Sequence, residues 1–373
     1  MASGGDAVAR DGDGKAVFIR GAIPGERVRV KIQADHKKYA NGDVDTVLEA
    51  SPQRVTPPCP EVERGCGACQ WQHISLAEQR KLKNGFLVEA VERAGVTCPE
   101  PGSVVALEPW DFRTTISAGV TNGRAGFNRA RSHQVVGVDT CLVAHPLIEE
   151  LLVGVRYPGA RSVLLRCGAR TGERLVVTTP AGLDVQLPDD VRTEDFHEFA
   201  AGRRWRVSAR SFFQTRADAV DALADLVVAA ADEMGPPTTA IDLYSGVGLF
   251  AGTLAARGWS VTAVEGSERS VADARENLRD TDATVVRADV TKWTPGAADL
   301  VVADPSRLGL GPEGVEVVES TGARRLVLVS CDAASLGRDA ALLEKAGYGL
   351  SALTQVDLFP QTFRVEAVTV YDR

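Results

Sequence analysis

The sequence predicts an α/β protein in which a doubly wound sheet follows a small N-terminal β-barrel and a central α+β region. Three observations lead to this prediction. Short alternating strands fill residues 15–55, a cysteine-rich segment with one long helix follows, and strands alternate with helices beyond residue 205. Strands that alternate with helices need crossover connections, so the last region should form a largely parallel sheet. The expected domains are residues 1–55, 56–205 and 206–373.

The first domain has the pattern of a small barrel with one polar face. Its strands are "AVFIRGAI", "ERVRVKI" and "DVDTVLEA", and "PG" and "NG" turns separate them. The prolines of "TPPCP" then mark a linker. The segment before these strands, "MASGGDAVARDGDGK", is polar and rich in glycine, so its first residues are expected to be disordered.

The central domain contains one clear helix among β-like segments. The helix is expected over residues 75–94, "SLAEQRKLKNGFLVEAVERA", where Ser75 and Glu78 make a capping box and apolar residues recur at helical spacing. We expect this helix to pack on the C-terminal domain.

The C-terminal domain begins with the amphipathic segment "FFQTRADAVDALADLVVAAADEM", which predicts a helix. The strands expected after it are "TAIDLYSG", "SVTAVEG", "ATVVRAD", "DLVVADP" and "RRLVLVSCD". Ligands of such sheets bind beyond the carboxyl ends of the strands. Polar residues at those ends are therefore the candidate site residues.

Composition and charge limit the classes of function. The chain has 373 residues, a net charge of −8 and seven cysteines, too few for a disulfide scaffold. No apolar run approaches the roughly 18–20 residues of a membrane span, which predicts a cytoplasmic protein, expected to be a monomer. Residues 112–138 and 201–216 hold arginines and no acidic residue, and Trp205, Phe212 and Phe213 interleave with the second stretch. Such stretches favour RNA as a partner, although ordinary solvated arginines are the alternative.

Two classes of enzyme fit the first strand ends. Gly246 and Gly248 permit a tight turn between strand and helix, Glu265 at the next strand end can accept hydrogen bonds from ribose hydroxyls, and Asp289 can meet an adenine amino group. "GVGLFA" followed by an acid suits an NAD-dependent oxidoreductase. It equally suits a methyltransferase that uses S-adenosylmethionine, and the glycine motif does not decide between them.

The fourth and fifth strand ends favour methyl transfer. Asp304 and Pro305 form a rigid carboxylate corner at the end of one strand, and Cys331 ends the next. Hydride transfer has no obvious need for both, whereas methyl transfer to an unreactive carbon does. The alternative for Cys331 is a small core residue.

An ordered set of motifs resembles the RNA uracil-C5 methyltransferases that use S-adenosylmethionine. The set comprises "SFFQTR", "IDLYSGVGLF", "VEGSERSVADARENL", "VVADPSRLGLG", "LVLVSCDAASLGRDAALL" and "VDLFPQTFRVEAV". "VFIRGAIPGERVRVKI" is similar to a TRAM domain, and "CPEVERGCGACQWQHISLAEQRKLK" is similar to the family's iron–sulfur segment, so the resemblance covers nearly the whole chain. It implies a Rossmann-like methyltransferase sheet, a TRAM/OB-like barrel that binds RNA, and a central iron–sulfur domain.

The resemblance also implies roles for individual residues. Cys331 matches the nucleophile, and Glu366 matches the base that removes the C5 proton, although a salt bridge is the alternative for Glu366. The matching cofactor contacts, beside Gly246 of the glycine turn, are Gln214, Tyr244, Glu265, Asp289 and Asp304.

Four positions depart from the family pattern. Ser245 stands where cysteine is common, Ser306 replaces a second proline, Arg364 replaces the usual histidine, and Arg216 replaces asparagine. The departures leave the reaction class intact and bear on the choice of substrate.

The chemistry explains why a thiol and a carboxylate would lie together. A thiolate that adds to C6 of uracil makes C5 nucleophilic, so that C5 attacks the methyl group of the cofactor. A base must then remove the C5 proton, and Glu366 suits this task if burial raises its pKa. Cys331 must be partly ionised, and the N-terminus of the helix expected near Ala333 would favour its thiolate.

Three cysteines, Cys59, Cys66 and Cys69, have the spacing C-x6-C-x2-C and predict a metal site with Cys141 as the fourth ligand. The resemblance implies a [4Fe-4S] cluster, while spacing alone also permits zinc, with His73 as a less favoured ligand. Cys98 and Cys167 are expected only to pack. The cluster is expected to shape the RNA-binding region, because the methylation is redox-neutral.

The combination of a barrel and a cysteine cluster most resembles family members that act on 23S ribosomal RNA, and transfer RNA is the alternative substrate. The target base must leave its stack to reach the thiol. Two other classes stay open at this point: the oxidoreductase, and an RNA-binding module without activity.

Overall fold

The computed structural model describes residues 1–100 and 104–373 as four sheets flanked by helices. The strands are β1 Ala7–Arg10, β2 Ala16–Arg20, β3 Arg27–Asp35, β4 Tyr39–Glu49, β5 Thr115–Thr121, β6 Arg124–Asn128, β7 Val135–Gly137, β8 Ser162–Cys167, β9 Arg174–Thr179, β10 Val191–Arg192, β11 Asp195–Ala200, β12 Arg203–Ser208, β13 Thr239–Leu243, β14 Ser260–Glu265, β15 Thr284–Arg287, β16 Leu300–Ala303, β17 Arg325–Ser330, β18 Gly349–Gln355 and β19 Ala367–Asp372. The helices are α1 Leu76–Arg93, α2 Pro146–Gly154, α3 Ala217–Asp232, α4 Leu249–Ala255, α5 Glu268–Asn277, α6 Gly311–Ser320 and α7 Ala333–Lys345.

The N-terminal strands form a four-stranded sheet in the order β1-β2-β4-β3. The expectation of disorder at the N-terminus is wrong, because β1 pairs antiparallel with β2 and buries Ala7. Two further contacts hold this segment: Trp71 donates its indole N–H to the Gly5 carbonyl at 3.0 Å, and Asp6 pairs with Arg131. In the described hydrogen bonding the edge strands β1 and β3 do not pair, so the predicted barrel is an open sheet here.

The central region is built on a six-stranded sheet in the order β10-β9-β8-β5-β6-β7, followed by the hairpin β11–β12. The helix α2 covers this sheet through Ile148, Leu151 and Leu152. Tyr157 is buried in the same core and donates its hydroxyl to the Leu151 carbonyl at 2.7 Å.

The C-terminal sheet has seven strands in the order β15-β14-β13-β16-β17-β19-β18, in which only β18 and β19 run antiparallel to their neighbours. Its central strands are buried on both faces. All four residues of β16, "LVVA", are buried, and so are the last four of β13, "TAIDL". Helices on both faces exclude water from these strands, which is why their sequences are continuous apolar runs. The doubly wound fold class predicted from the sequence is confirmed.

The predicted central helix is α1, and it packs on the C-terminal domain as expected. Ser75 caps it by accepting the N–H of Glu78 at 3.4 Å. The helix crosses α7 so closely that a Cβ at Gly337 would overlap the Ala90 carbonyl oxygen. Buried Lys83 donates to Asp357 at 2.8 Å, which ties α1 to the segment that follows β18.

Over the described residues, no helix combines the length and the apolar character that crossing a membrane requires.

Candidate active site

The candidate site begins at one edge of the C-terminal sheet, where neighbouring parallel strands end together. Leu243 of β13 pairs with Val264 of β14 on one side and with Ala303 of β16 on the other. The residues that come next along these strands therefore emerge side by side. They are Glu265, Tyr244 and Asp304, three of the predicted cofactor contacts.

The next two strands bring the predicted nucleophile and base together. Ser330 of β17 pairs with Ala367 of antiparallel β19, and this is the last pair of that ladder. Cys331 and Glu366 are the next residue on each strand, so they lie opposite each other just beyond the sheet. Positions separated by 35 residues of sequence thus meet at the same edge as Asp304.

The Cys331 thiol lies half-buried in a negatively charged environment. Burial raises its pKa to about 12, and the carboxylates of Glu366 and Asp304 add to the rise. Arg307 acts in the opposite direction. In the protein without RNA the thiol is therefore protonated at neutral pH.

The helix expected to stabilise a Cys331 thiolate does begin at Ala333, but the expected effect on the pKa is wrong. Asp332 caps α7 by accepting the N–H of Ser335 at 2.9 Å. The carboxylate thus occupies the positive end of the helix dipole, and its charge raises the pKa of the neighbouring thiol.

Two carboxyl groups beside the thiol hold protons more tightly than usual. Glu366 is buried, and burial together with the charge of Asp304 raises its pKa well above the ordinary value. Burial also raises the pKa of Asp304 to about 7, although a hydrogen bond from the Gln214 amide at 3.3 Å acts to lower it. Two like charges this close disfavour each other, so the pair holds a proton near neutral pH.

The cofactor crevice lies beside these groups at the turn between β13 and α4. Gly246 and Gly248 have φ angles of 55° and 92°, the left-handed region that glycine tolerates, as the sequence predicts. A Cβ at Gly246 would meet nothing within 4 Å, so open space faces this backbone. Glu265 accepts the N–H of Gly246 at 3.0 Å and that of Ser267 at 2.6 Å, which fixes its carboxylate at the rim of the crevice.

The other predicted contacts take different places around the crevice. Gln214 and Tyr244 line it together with Asp304. Asp289 lies at the exposed end after β15, where hydrogen bonds from Thr291 lower the pKa of its carboxyl group. Burial is the largest cause of the raised pKa of Tyr244, and the charge of Asp289 is the next largest. Asp289 therefore faces the crevice from the rim.

The sequence reasoning missed Asp242, which lies beneath the crevice. This fully buried acid accepts the N–H of Ala251 at 2.8 Å, and burial raises its pKa to about 8. The signal was available, because an acid inside the apolar strand "TAIDL" needs a buried partner. Its role is to hold the first turn of α4 against β13.

The four predicted metal-ligating cysteines come together. Cys59, Cys66, Cys69 and Cys141 line one small cavity between the loop before α1 and the segment before α2. Burial raises the pKa of Cys69 to about 11 and that of Cys141 to about 12, and the neighbouring thiols add to both. Over residues 1–100 and 104–373, no three Cys, His, Asp or Glu side chains are arranged to hold a single metal ion.

The remaining thiols and His73 lie outside that cavity. Cys167 is buried in the central core, and Cys98 packs against the C-terminal core, as expected. Burial lowers the pKa of His73 to about 4. The charge of Arg54, which follows β4, also lowers it, and that of Glu26, which precedes β3, raises it.

The four departures have local explanations in two cases. Arg216 is buried, forms two 2.6 Å hydrogen bonds to Asp218 and stacks 4.4 Å from the Phe112 ring centre, which ties α3 to the central region. Ser245 lies in a turn made by backbone groups, since its N–H donates to the Val264 carbonyl at 3.1 Å. Ser306 starts an exposed turn, and Arg364 lies beside the thiol.

The two arginine-rich stretches differ. In the stretch 201–216, four of the five arginines pair with carboxylates, three of them from other segments, which makes that stretch largely a structural surface. The pairs are Arg203–Asp280, Arg204–Glu173, Arg206–Asp195 and Arg216–Asp218. In the stretch 112–138, Arg113 and Arg129 form no ion pair with any described residue. Phe212 is 65% exposed next to the crevice residue Gln214.

Comparisons with known proteins agree with this architecture. The family model of the TRAM domain matches residues 2–44, and that of a methyltransferase domain matches residues 241–305, which include the crevice residues Tyr244, Gly246 and Asp304. A solved structure, the Pyrococcus abyssi tRNA (uracil-54, C5)-methyltransferase in complex with S-adenosyl-L-homocysteine, is 23% identical. It superposes with a TM-score of 0.74 over 99% of this chain and 100% of its own, which shows the same fold.

Relatives of known sequence extend over the full chain. A Streptomyces avermitilis protein described as an uncharacterized RNA methyltransferase is 33% identical over 100% of this chain and 96% of its own. The 23S rRNA (uracil(1939)-C(5))-methyltransferase RlmD of Chromohalobacter salexigens is 32% identical over 100% of this chain and 88% of its own. The chain therefore belongs to the family of S-adenosylmethionine-dependent RNA uracil-C5 methyltransferases.

Proposed function

We propose that this protein methylates C5 of a uridine in 23S ribosomal RNA, with Cys331 as the nucleophile and Glu366 as the base. The observation that carries the proposal is the strand register, which sets these two side chains opposite each other beside the crevice. Hydride transfer by a dinucleotide oxidoreductase has no obvious need for a thiol that faces a buried carboxyl group. An RNA-binding module without activity has no need for either.

The residues divide the chemistry between them. S-adenosylmethionine supplies an electrophilic methyl group, and the crevice residues Gln214, Tyr244, Gly246, Glu265, Asp289 and Asp304 would hold it. Cys331 releases its proton to solvent and forms a bond from Sγ to C6 of the uracil, which moves an electron pair toward C5. After C5 has been methylated, Glu366 takes the C5 proton, and the Sγ–C6 bond breaks to release the thiolate. The thiol proton thus goes to solvent, and the C5 proton goes to Glu366.

The raised pKa of Glu366 suits a base in this position. A carboxylate whose pKa is raised takes a proton from carbon more readily than an ordinary carboxylate. Burial also keeps water away from the adduct. Water would otherwise compete for the activated ring carbon. Burial likewise keeps the Cys331 thiol protonated at neutral pH before a uracil binds.

Ribosomal RNA is the proposed substrate because of the relatives. The full-length relatives include proteins named as 23S rRNA methyltransferases, at 31–32% identity. Transfer RNA is the competing substrate and an outcome of the test below. The unpaired Arg113 and the exposed ring of Phe212 lie near the crevice, where a folded RNA would place phosphates and an unstacked base.

We also propose that the four-cysteine cavity holds a [4Fe-4S] cluster. The donors fit this group because four thiols line one cavity, and the carboxylate that also lines it, Glu61, is held by Arg64 and the Asp139 N–H. A single zinc ion fits less well, since it draws four sulfurs to about 2.3 Å from one centre, and no such set is present among the described residues. In a cluster each sulfur binds a different iron, so the sulfurs stand further apart.

The cysteine cavity has a structural task in this proposal. The backbone at Arg113 pairs with the segment that follows Cys141. The N–H of Arg113 donates to the Val143 carbonyl at 2.8 Å, and the Arg113 carbonyl accepts the His145 N–H at 3.0 Å. A bound cluster would fix these backbone segments and thereby the arginine. Anaerobic purification followed by iron and sulfide analysis, with Cys69→Ser as the comparison, tests the assignment; zinc without iron would contradict it.

Methyl transfer is tested with labelled S-adenosylmethionine and undermethylated RNA. Purified ribosomal RNA and transfer RNA are offered separately, and 5-methyluridine is mapped in the product. Cys331→Ala should abolish transfer, whereas Cys98→Ala, which removes a thiol outside the site, should leave it intact. Full activity in Cys331→Ala would refute the mechanism, and activity on transfer RNA alone would refute the ribosomal substrate.

A further inference from the structure

A cleft beside the catalytic groups is not explained by the cofactor or the uracil. It has a volume of about 490 Å³ and lies between the cysteine loop, residues 67–70, and the segment that precedes Glu366, residues 359–364. A second cleft of about 540 Å³ shares Gly67, Gln70 and Asn128 with it and reaches the N-terminal sheet. Together they form one groove that runs from the TRAM strands to Arg364, which acts on the Cys331 thiol.

Unpaired positive charge is concentrated in this cleft. Arg113 and Arg364 line it, and neither forms an ion pair with any residue that the structure describes. The Nε of Arg113 is buried and has no hydrogen-bond partner among the described groups. Buried Arg174 and Arg216 instead pair with carboxylates.

A third guanidinium belongs to the same group. Burial lowers the pKa of Arg364, and the charges of Arg307 and Arg113 lower it further, so these three cations lie close enough to repel one another. Cys331 acts in the opposite direction. The three arginines therefore lie together on the segment before β5, the β16–α6 loop and the segment before β19, and two of them, Arg307 and Arg364, act on the Cys331 thiol.

Cations that repel one another are held together at a cost in free energy unless an anion binds between them. The planar guanidinium fork matches two phosphate oxygens at once. We propose that Arg113, Arg307 and Arg364 form a phosphate-binding cradle for the phosphodiester group next to the target uridine. The inference rests on the proposed function, since it assigns the RNA backbone to a position beside the methylated base.

The cradle gives a reason for the departure at Arg364. The residue lies two positions before Glu366, and its N–H donates to Thr362 Oγ at 3.2 Å, which fixes the backbone of this segment. A phosphate held there would stop the nucleotide from sliding along the groove while its base enters the site. Positioning of this kind adds to the rate by holding the reacting atoms in line.

Salt dependence of RNA binding tests the cradle. The probe is a synthetic stem-loop that carries the segment of 23S rRNA around the uracil named for the relatives, uracil 1939. Each lost phosphate contact should reduce the slope of log affinity against log salt by about 0.7. Arg364→Gln and Arg113→Gln should each show this reduction and raise the KM for RNA about 10-fold. Arg324→Gln, at the opposite edge of the sheet and 62% exposed, is the matched control and should change neither value.

A chemical substitution in the RNA completes the test. A neutral methylphosphonate in the linkage beside the uridine should weaken binding to the wild-type protein, and should have little further effect on Arg364→Gln, because both changes remove the same contact. Arg364→Lys keeps the charge and should keep the salt slope while it loses part of the affinity. This second variant separates loss of the contact from loss of the fold.

The outcomes separate this inference from the proposed function. If the wild-type protein methylates RNA while Arg364→Gln keeps the wild-type slope and KM, the cradle is refuted alone. A changed pH dependence of kcat in Arg364→Gln with an unchanged slope would likewise refute it, and would assign the arginine to the thiol. If the wild-type protein shows the arginine-dependent slope and transfers no methyl group, the proposed function is refuted and the cradle is supported.

Discussion

The thiol of Cys331 should react slowly with a disulfide reagent while no RNA is bound. Its pKa lies near 12 instead of the ordinary 9, because burial and three carboxyl groups disfavour the thiolate. Thiol–disulfide exchange requires the thiolate, so the reagent samples the ionised fraction directly. The test removes the charges of two neighbouring side chains, Glu366 and Arg307, by substitution one at a time.

The magnitude follows from the two pKa values. At pH 8 a group of pKa 12 is ionised about 1,000-fold less than one of pKa 9. A more basic thiolate is also a better nucleophile, which recovers about 20-fold of this loss. Exchange at Cys331 should therefore be about 50-fold slower than at a free cysteine, before any further slowing by restricted access.

The assay is exchange with an aromatic disulfide at fixed pH, with each labelled cysteine identified by peptide mass spectrometry. Glu366→Gln should speed the reaction at Cys331, because it removes the largest charged contribution to the raised pKa. Arg307→Gln should slow it, since this cation is the neighbour that lowers the pKa. Exchange in the wild-type protein as fast as at free cysteine would refute this account of the site.

Three further predictions concern the site and its scaffold. The rate of methyl transfer should rise as the pH rises through the raised pKa of Glu366, because a protonated carboxyl group cannot take the C5 proton, and a falling profile would contradict this. Lys83→Met should lower the free energy of unfolding by about 1–3 kcal/mol in a urea titration, because it removes one of the two cations that bind buried Asp357 and leaves Arg80 as the other; exposed Lys81→Met on the same helix should cost less than about 0.5 kcal/mol. Gly337→Ala should destabilise the protein by about 1–3 kcal/mol despite its better helix propensity, because its Cβ overlaps the α1 backbone. Gly85→Ala, with open space around its Cβ, should instead stabilise by up to about 1 kcal/mol, and equal effects of the two glycine changes in thermal unfolding would argue against the close helix crossing.

The sequence predicts most of the C-terminal fold because local signals agree there. Buried strands, glycine turns and caps recur at short spacing, and each strand ends in a polar residue. The predicted helix over residues 75–94 agrees with α1 to within its caps. The helix predicted from Phe212 starts only at Ala217, since the preceding residues line the crevice instead.

Features that depend on distant segments could not be predicted. The order of residues 7–10 comes from pairing with β2 and from contacts with Trp71 and Arg131, none of which the local composition reveals. The charge state of Cys331 likewise depends on Glu366, 35 positions away, and on the cap by Asp332. Arginine content alone could not distinguish paired residues from the free cations of the cleft.

A trapped adduct tests the central claim most directly. Glu366→Gln should add its thiol to the uracil but fail to remove the C5 proton, so a denaturation-resistant protein–RNA complex that carries the transferred methyl group should accumulate. Peptide mass spectrometry should place the link at Cys331, and Cys331→Ala in the same background should abolish the complex. A Glu366→Gln protein that turns over at the wild-type rate, or a complex that persists without the thiol, would contradict the account.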